Sequence, residues 1–297
     1  MLCALPLIFS VAGEAMAAGV TAIGHAAVGN AAEARFKEGL QALEEKEYIQ
    51  AIGKFTNAIS LKEDYAAAYY QRAVAKDLLG EAEGFFSADL CFDLIQAMKL
   101  GHPKALPMLR ENSNRECHTV ETMLYKPETV FCADLSSHVL FKMPDYADQL
   151  AYVAYLNLFD NRFSSMPDGL ISFSYLVHLD MSRNVLADIH PEINRLKWLV
   201  ELNLNKNKIT ELPESISELS HLKQLYLRNN KIKALPSSLS QLQELEELDL
   251  ALNQLESVPE VLKEMNHLKR LILVGNPLSS SAVDELKKKL PRTELVF

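Results

Sequence analysis

The chain has 297 residues, of which 48% are hydrophobic and 23% are charged, and its formal net charge at pH 7 is −9. This composition indicates a folded chain with normal cores and excludes intrinsic disorder, which goes with fewer hydrophobic residues. The acidic balance also argues against nucleic acid as a partner, because phosphate binding needs clustered Lys and Arg. The one basic run, residues 287–289, is interpreted as a solvated helix face.

The N-terminal residues 1–17 resemble an export signal. Residues 2–12 form an apolar stretch of suitable length, and Ala15, Met16 and Ala17 have the small-x-small pattern of a cleavage site. No Lys or Arg precedes the stretch, which departs from the usual signal. We predict a cleaved signal peptide and an extracytoplasmic mature chain. The alternative is an alanine-rich helical extension on a cytoplasmic protein. No other stretch is long enough to span a membrane.

Residues 31–117 are predicted to form a small all-α domain. Apolar residues recur at helical spacing on both sides of the polar stretch 44–47, namely Phe36, Leu40, Leu43, Ile52, Phe55 and Ile59. This pattern predicts an antiparallel helix pair. A second pair is predicted from about Ala66, with extra residues at 84–88 and a second helix over 88–100. A closing helix is expected within 104–117.

Small residues lie where the first two helices would have to approach closely. Gly39, Ala51 and Ala58, together with Phe55, resemble the positions of a tetratricopeptide repeat. In the second pair, Tyr69 and Ala73 continue that resemblance. What it implies is a short helical repeat domain, which is marginal alone because stacked repeats stabilise one another.

From residue 130 onward the chain repeats a single template. Seven copies with the pattern LxxLxLxxNxLxxLPxxIxxLxx follow at a spacing of 23 residues, without insertions, and a linker is predicted at 118–129. They begin at Val130, Val153, Leu176, Leu199, Leu222, Leu245 and Leu268. Template positions four and six share one side of a short strand, whereas positions three, five and seven share the other. One turn cannot bury its apolar positions alone, so the turns are expected to stack into a solenoid.

Position nine is the polar column of the template. It holds Asn in six of the seven copies: Asn161, Asn184, Asn207, Asn230, Asn253 and Asn276. Such an Asn can satisfy buried backbone groups of neighbouring turns. The first copy has His138 there instead, and the third has His190 ahead of Pro191 where position fifteen is usually Pro.

These residues resemble the leucine-rich repeat family of the 23-residue type over residues 130–297. The resemblance implies a curved solenoid with a parallel sheet on its concave side, used to bind other proteins, without chemistry of its own. Residues 275–297 resemble the C-terminal cap of that family, with an amphipathic helix at about 282–290 and a strand at 293–297. The predicted fold class is therefore an α/β repeat solenoid that follows a small all-α domain.

The template also predicts which side chains face a partner. Positions three, five and seven supply the concave face, and position twenty-three supplies a rim that is aromatic in its first copies. The predicted partner-binding residues are Tyr152, Tyr155, Phe159, Tyr175, His178, Trp198, Glu201, Tyr226 and Arg228. Clustered aromatics with an Arg are typical of binding hot spots. The competing interpretation of the rim is that its rings lie flat and cover the solenoid core.

Catalytic and metal-binding patterns are not found in the sequence. The eight His residues are scattered, there is no Gly-rich phosphate loop, and the adjacent Cys117 and His118 do not face each other on a helix. We therefore expect no catalytic residue, no metal and no cofactor. If the chain is exported, a disulfide between Cys91 and Cys117 is predicted, and the alternative is that these are thiols in the core.

The function predicted from the sequence is non-enzymatic protein recognition by a monomer. It would use the concave face and the aromatic rim of the solenoid to bind a protein partner, with no nucleic acid and no membrane span. One alternative is a cytosolic regulatory subunit or signalling scaffold that controls a partner enzyme. A second is an envelope-associated scaffold whose helical repeats hold the partner.

Overall fold

The structure is a computed structural model that describes residues 11–84, 89–112, 123 and 130–297, with the backbone alone for residues 11–27. The chain divides into two compact units, Met1–Ala105 and Leu106–Phe297. The division falls at the start of the helix that was expected to close the first domain. Residues 106–112 therefore belong to the same unit as the repeats.

The first unit is all-helical, as predicted. Its helices are α1 (Val11–Glu44), α2 (Tyr48–Leu61), α3 (Ala66–Glu83) and α4 (Asp89–Lys99), and α5 (Ala105–Asn112) begins at its end. The α1–α2 turn lies at the predicted polar stretch, and Gly84 ends α3 with a φ of 75°. Residues 11–17 of the predicted signal form the first turns of α1, and residues 1–10 lie outside the described part. The signal peptide and the tetratricopeptide resemblance stay predictions.

The first two helices approach closely at Gly39. Phe55 of α2 has no exposed surface, and its ring lies against α1, where a β-carbon on Gly39 would come within 2.6 Å of Phe55 Cε1. The ring of Phe36 lies 5.6 Å from that of Phe55. Glycine is needed here for the close approach of two helices, which is the role that the sequence predicted.

A buried ion cluster joins α3 to α4. Asp93 has no exposed surface, and its carboxylate accepts hydrogen bonds from Arg72 at 2.6 and 3.0 Å. Lys76 Nζ lies 2.9 Å from the same carboxylate. A buried charge is tolerated only when it is paired in this way. The register between α3 and α4 is therefore set by charge as well as by apolar packing.

The predicted disulfide between Cys91 and Cys117 stays a prediction. Cys91 has 1% of its surface exposed and lies next to the fully buried Leu90 on α4. Burial of this degree is typical of a cysteine within an apolar core. Residue 117 lies outside the described residues. Cys132, which was not assigned to a bridge, is disulfide-bonded.

The second unit contains a parallel sheet in which the strands follow chain order from β1 to β8. The strands are β1 (Cys132–Asp134), β2 (Tyr155–Asn157), β3 (His178–Asp180), β4 (Glu201–Asn203), β5 (Gln224–Tyr226), β6 (Glu247–Asp249), β7 (Arg270–Ile272) and β8 (Glu294–Val296). Up to β7, equivalent template positions pair directly, as in Tyr155 with His178. The constant spacing in the sequence therefore becomes a constant register in the sheet. The result is the predicted leucine-rich horseshoe.

Each repeat returns to the next strand through a short helical turn. Pro167, Pro213 and Pro236 have extended backbone and directly precede 3-10 helices of five residues. In the sixth repeat, Pro259 precedes the short helix α6 (Glu260–Glu264). Proline suits this position because it has no backbone N–H and its φ is fixed.

The third repeat accommodates His190 in place of that proline. Its 3-10 helix is reduced to Ile193–Arg195. The ring of His190 accepts a hydrogen bond from the backbone N–H of Glu192 at 3.0 Å, and its other nitrogen lies 3.1 Å from Asp168 Oδ1. The side chain replaces part of the constraint that proline supplies elsewhere.

The asparagine column connects each turn to the one before it. Asn207 Nδ2 donates to Leu204 O of its own turn and to Met181 O of the preceding turn, both at 3.0 Å. Its Oδ1 accepts from the N–H of Leu186, also in the preceding turn, at 3.0 Å. The other five asparagines make the same contacts. In the first repeat His138 takes this position, and its Nδ1 lies 2.5 Å from the backbone carbonyl oxygen of Ser136.

Position eight of every repeat lies in the left-handed region. The φ angles of Ser137, Asp160, Arg183, Lys206, Asn229 and Leu252 are between 53° and 58°, and Gly275 has a φ of 78°. Backbone of this kind costs energy for residues with a β-carbon, and it is kept only where the surroundings require it. The sequence does not indicate this feature, because most residues in this column have low left-handed propensity.

The end of the solenoid is closed as predicted. Helix α7 (Ser280–Lys289) starts at Ser279, whose side chain accepts a hydrogen bond from the N–H of Ala282. Leu286 and Leu290 are buried in the same core cluster as the repeat leucines. Strand β8 then pairs with β7. Helix α7 and strand β8 therefore cover the C-terminal end of the apolar core.

The close approach at Gly39 can be tested with a matched pair of glycines. Gly39→Ala places a methyl group against the Phe55 ring, so we expect it to lower the free energy of unfolding of the helical unit by about 1–3 kcal/mol. Gly53→Ala meets nothing within 4 Å on α2, so we expect it to raise that free energy by about 0.5–1 kcal/mol. Urea denaturation followed by circular dichroism measures both. Equal effects of the two substitutions would contradict the close packing.

Candidate functional site

The concave side of the sheet holds the predicted binding residues in regular columns. Position three supplies Tyr155, His178 and Glu201 on adjacent strands, and position five supplies Tyr226. His178 is buried with 9% of its surface exposed, and the other three are half-buried. The structure therefore brings these predicted residues together on one surface.

Carboxylates dominate the charge of this surface. Asp134, Asp180 and Asp249 occupy position five, and Glu201 and Glu247 occupy position three. Burial raises the pKa of Tyr155, and the nearby carboxylates of Asp180, Glu201 and Asp134 raise it further. The concave face is thus acidic.

Tyr226 lies at the centre of this charge. Burial raises the pKa of its phenol far above the ordinary value, and the carboxylates of Glu247 and Glu201 add to the effect. The hydroxyl donates a hydrogen bond to Glu247 Oε2 at 3.2 Å. The phenol therefore stays neutral across the physiological range and acts as a hydrogen-bond donor.

His178 connects the sheet to a helix that the sequence did not place there. Its Nδ1 lies 3.1 Å from Glu201 Oε2, and its Nε2 lies 3.2 Å from the backbone carbonyl oxygen of Arg110 on α5. The ring of Tyr155 lies 5.6 Å away. His178 therefore links a carboxylate on the sheet to the backbone of α5.

Arg110 contacts the concave face and is not marked by the sequence pattern. Its Nη2 donates to Gln224 Oε1 at 3.1 Å, on β5. No local signal marks this residue, because one Arg on a short helix is an ordinary surface residue. Its contact with the concave face joins two residues, Arg110 and Gln224, that are 114 positions apart in the chain.

The aromatic rim consists of rings stacked on one another. Tyr152 and Tyr175 are stacked with centroids 6.0 Å apart, and Trp198 and His221 are stacked at 5.3 Å. Phe131 contacts Tyr152 in a tilted arrangement at 6.4 Å. These rings are half-buried apart from Phe131, which is buried. Ring contacts therefore join the predicted rim to Phe131, which is tilted, and to His221, which is stacked.

The two remaining predicted residues differ in their surroundings. Phe159 is half-buried, and the guanidinium of Arg183 lies 5.6 Å from the centre of its ring. Arg228 is exposed at position seven of the fifth repeat, and its backbone N–H donates to Asn205 Oδ1. Arg228 therefore presents its side chain to solvent beside Tyr226.

A family model for the leucine-rich repeat region matches residues 146–291. This range starts within the first repeat and ends after helix α7. The chain is a leucine-rich repeat protein. A comparison with curated protein sequences gives no match.

Solved structures of other leucine-rich repeat proteins are similar to this chain. A leucine-rich repeat protein of Leptospira interrogans shares 29% identity with a TM-score of 0.47, covering 66% of this chain and 51% of its own. An internalin of Listeria monocytogenes shares 19% identity with a TM-score of 0.46, covering 57% of this chain and 54% of its own.

A third similar structure is the plant peptide hormone receptor RGFR1 in complex with RGF2. It shares 22% identity with a TM-score of 0.50, and the match covers 66% of this chain and 33% of the receptor. The match to all three structures spans about half of their length or less. The plant receptor supports the solenoid fold of this leucine-rich repeat protein.

Two further features of this leucine-rich repeat protein concern the described residues alone. In the described ranges, no three His, Cys, Asp or Glu side chains are arranged to hold a metal ion. The helices described here also include none that is both long and apolar enough to cross a bilayer.

Trp198 is the only tryptophan of the chain, and its stacking can be tested separately from binding. Because the ring is half-buried against His221, we expect Trp198→Ala to lower the free energy of unfolding of the repeat unit by about 1–2 kcal/mol. Trp198→Phe retains a stacked ring and should cost less than about 1 kcal/mol. Urea unfolding followed by far-ultraviolet circular dichroism measures both. An unchanged stability of Trp198→Ala would show that the rim does not pack.

Proposed function

We propose that this leucine-rich repeat protein binds a protein partner through the concave face of its solenoid and the adjoining aromatic rim. The observation that carries the proposal is the alignment of polar and aromatic side chains in columns on a regular parallel sheet, as in Tyr155, His178 and Glu201. Leucine-rich repeats are typical protein-interaction modules. The partner-facing surface comprises Tyr152, Tyr155, Phe159, Tyr175, His178, Trp198, Glu201, Tyr226 and Arg228.

The mechanism is preorganisation. The backbone of each inner strand, from β2 to β7, is paired on both sides by its neighbours, and the asparagine column fixes the turns behind them. Side chains on such a sheet lose little freedom on binding, so more of the contact energy appears as affinity. The carboxylates among these side chains favour Lys or Arg on the contacting surface of the partner, and Arg228 favours a carboxylate opposite it.

The proposed role is non-enzymatic and is carried out by a monomer. Every titratable side chain on the concave face with a raised pKa is a tyrosine whose shift comes first from burial. A buried phenol of this kind has a structural role, since the hydroxyl of Tyr226 donates a hydrogen bond to Glu247. The plant receptor named above was solved in complex with RGF2, and we extend that type of use to this chain as a proposal.

Binding by the concave face can be tested with two exposed cations of the same repeat. Arg228 lies on the concave side at position seven, and Lys233 lies outside the strand at position twelve. Arg228→Glu should weaken the binding of a protein retained from source-cell extract by at least about tenfold, as expected for loss of a hot-spot Arg. Lys233→Glu makes a similar charge change and should leave the affinity unchanged. Surface plasmon resonance with the retained protein measures both.

Both variants should unfold at the wild-type temperature, because both side chains are exposed. If Arg228→Glu and Lys233→Glu weaken binding equally, the effect comes from net charge and not from a concave site. If neither variant changes the affinity, the partner binds elsewhere on the chain. Either outcome contradicts the proposal.

The disulfide at Cys132 favours an extracytoplasmic protein over the cytosolic regulatory subunit. Structural disulfides persist in oxidising compartments and are rare in the cytosol. This agrees with the predicted signal at residues 1–17. The cytosolic regulatory subunit is the second candidate, because no Lys or Arg precedes the apolar stretch of the predicted signal.

The two candidates predict different masses for the natural protein. Cleavage after Ala17 leaves a chain that starts at Ala18, and an intact disulfide removes two hydrogens. We expect intact-mass analysis of fractionated source cells, with and without reduction, to find this form outside the cytoplasm. A cytoplasmic protein that starts at Met1 with all thiols reduced would favour the regulatory subunit.

A further inference from the structure

The concave face of the solenoid is already in contact with part of its own chain. Residues 106–112 of α5 belong to the repeat unit, and Arg110 touches two strands of the concave sheet. Its carbonyl oxygen lies 3.2 Å from His178 Nε2 on β3, and its Nη2 donates to Gln224 Oε1 on β5 at 3.1 Å. One residue therefore spans β3, β4 and β5, which is about 10 Å of sheet.

The helix carrying Arg110 is buried on one side. Leu109 has no exposed surface and Asn112 has 3%, whereas Pro107 and Glu111 are exposed. The buried positions are three residues apart and so share one face of α5. A segment with one face fully covered is packed in place and does not project into solvent.

The charge of Arg110 matches the surface that it covers. Burial raises the pKa of Tyr226 most, the carboxylates of Glu247 and Glu201 raise it further, and the charge of Arg110 opposes them. The guanidinium thus lies within the field of the acidic concave face. Charge complementarity of this kind is what we expect of a partner on the same surface.

The contacts of Arg110 overlap with the proposed binding surface. His178 is one of the proposed partner-binding residues, and Glu201, which contacts His178, is another. Tyr226 lies two residues after Gln224 on the same side of β5. A partner cannot reach His178 and the centre of the sheet while the carbonyl and guanidinium of Arg110 are in place.

We propose that residues 106–112 form an autoinhibitory latch, which closes the centre of the concave face and which a partner must displace. This inference rests on the proposed function, since a latch has meaning only where the face binds a partner. The apparent affinity is then lowered by the fraction of molecules in which the latch is open. The closing segment is part of the same unit, so it competes at a high effective concentration.

The docking of α5 can be measured without any partner, by hydrogen–deuterium exchange of the full chain. Arg110→Ala removes the guanidinium that reaches Gln224, so the amides of residues 106–112 should exchange about tenfold faster than in the wild type. Gln224→Glu converts the neutral acceptor into a carboxylate, which binds a guanidinium more strongly. It should slow the same amides severalfold. Glu111→Ala, an exposed neighbour on the same helix, is the control and should leave them unchanged.

The effect of the latch on binding is measured as the affinity for the protein retained from source-cell extract, as in the preceding subsection. Arg110→Ala should bind it about tenfold more tightly than the wild type, and Gln224→Glu should bind it more weakly. Glu111→Ala should bind it equally well. Opposite changes from two substitutions on opposite sides of one contact would not arise from misfolding, because misfolding weakens binding in both.

The outcomes separate the latch from the function on which it rests. If Arg228→Glu weakens binding while Arg110→Ala and Gln224→Glu leave it unchanged, the face binds a partner and the latch is wrong. If Arg110→Ala weakens binding, Arg110 belongs to the binding surface and the latch is also wrong. If exchange of residues 106–112 is equal in all variants, the contacts of Arg110 do not hold α5 in place, which overturns the inference directly.

Discussion

The hydrogen bonds of the asparagine column are the constraint on which the repeat unit depends. Each turn leaves backbone groups facing inward, and without water they need partners within the solenoid. Asn207 supplies two donations and accepts one N–H, and two of the three contacts reach the preceding turn. These hydrogen bonds fix both the shape of a turn and its distance from the preceding turn. The parallel register, and with it the concave columns, follows from that spacing.

Much of the fold could be predicted because the same physical problem recurs at every turn. The spacing of the leucines and of the column that includes Asn184 and Asn230 predicts strand positions, register and cap. The close approach at Gly39 was also predictable, since small residues face each other on two amphipathic helices. The left-handed residues of position eight were not, because Arg183 and Leu252 have no propensity for that conformation. The turn imposes it on whatever residue stands there.

The candidate site could be predicted only in part. Template positions place Tyr155, His178 and Glu201 side by side, since periodicity determines which residues share a face. The contact of Arg110 with the same face was not predictable, because it joins segments from different parts of the chain without any repeat to relate them. The predicted bridge at Cys91 has the same limit, since cysteine spacing does not show which thiols lie in a core. Repeats predict their own geometry well and predict non-repeated contacts poorly.

The central claim, that the concave columns bind a protein partner, is tested most directly by mapping where that partner touches the chain. A photo-crosslinking residue would replace, one at a time, Arg228 on the concave side and Lys231, Lys233 and Glu256 outside the strands, all of them exposed. Mass spectrometry would then identify the cross-linked partner peptide. The account predicts cross-links from position 228 and none from the three others. Cross-links from the outer positions, with none from position 228, would contradict it.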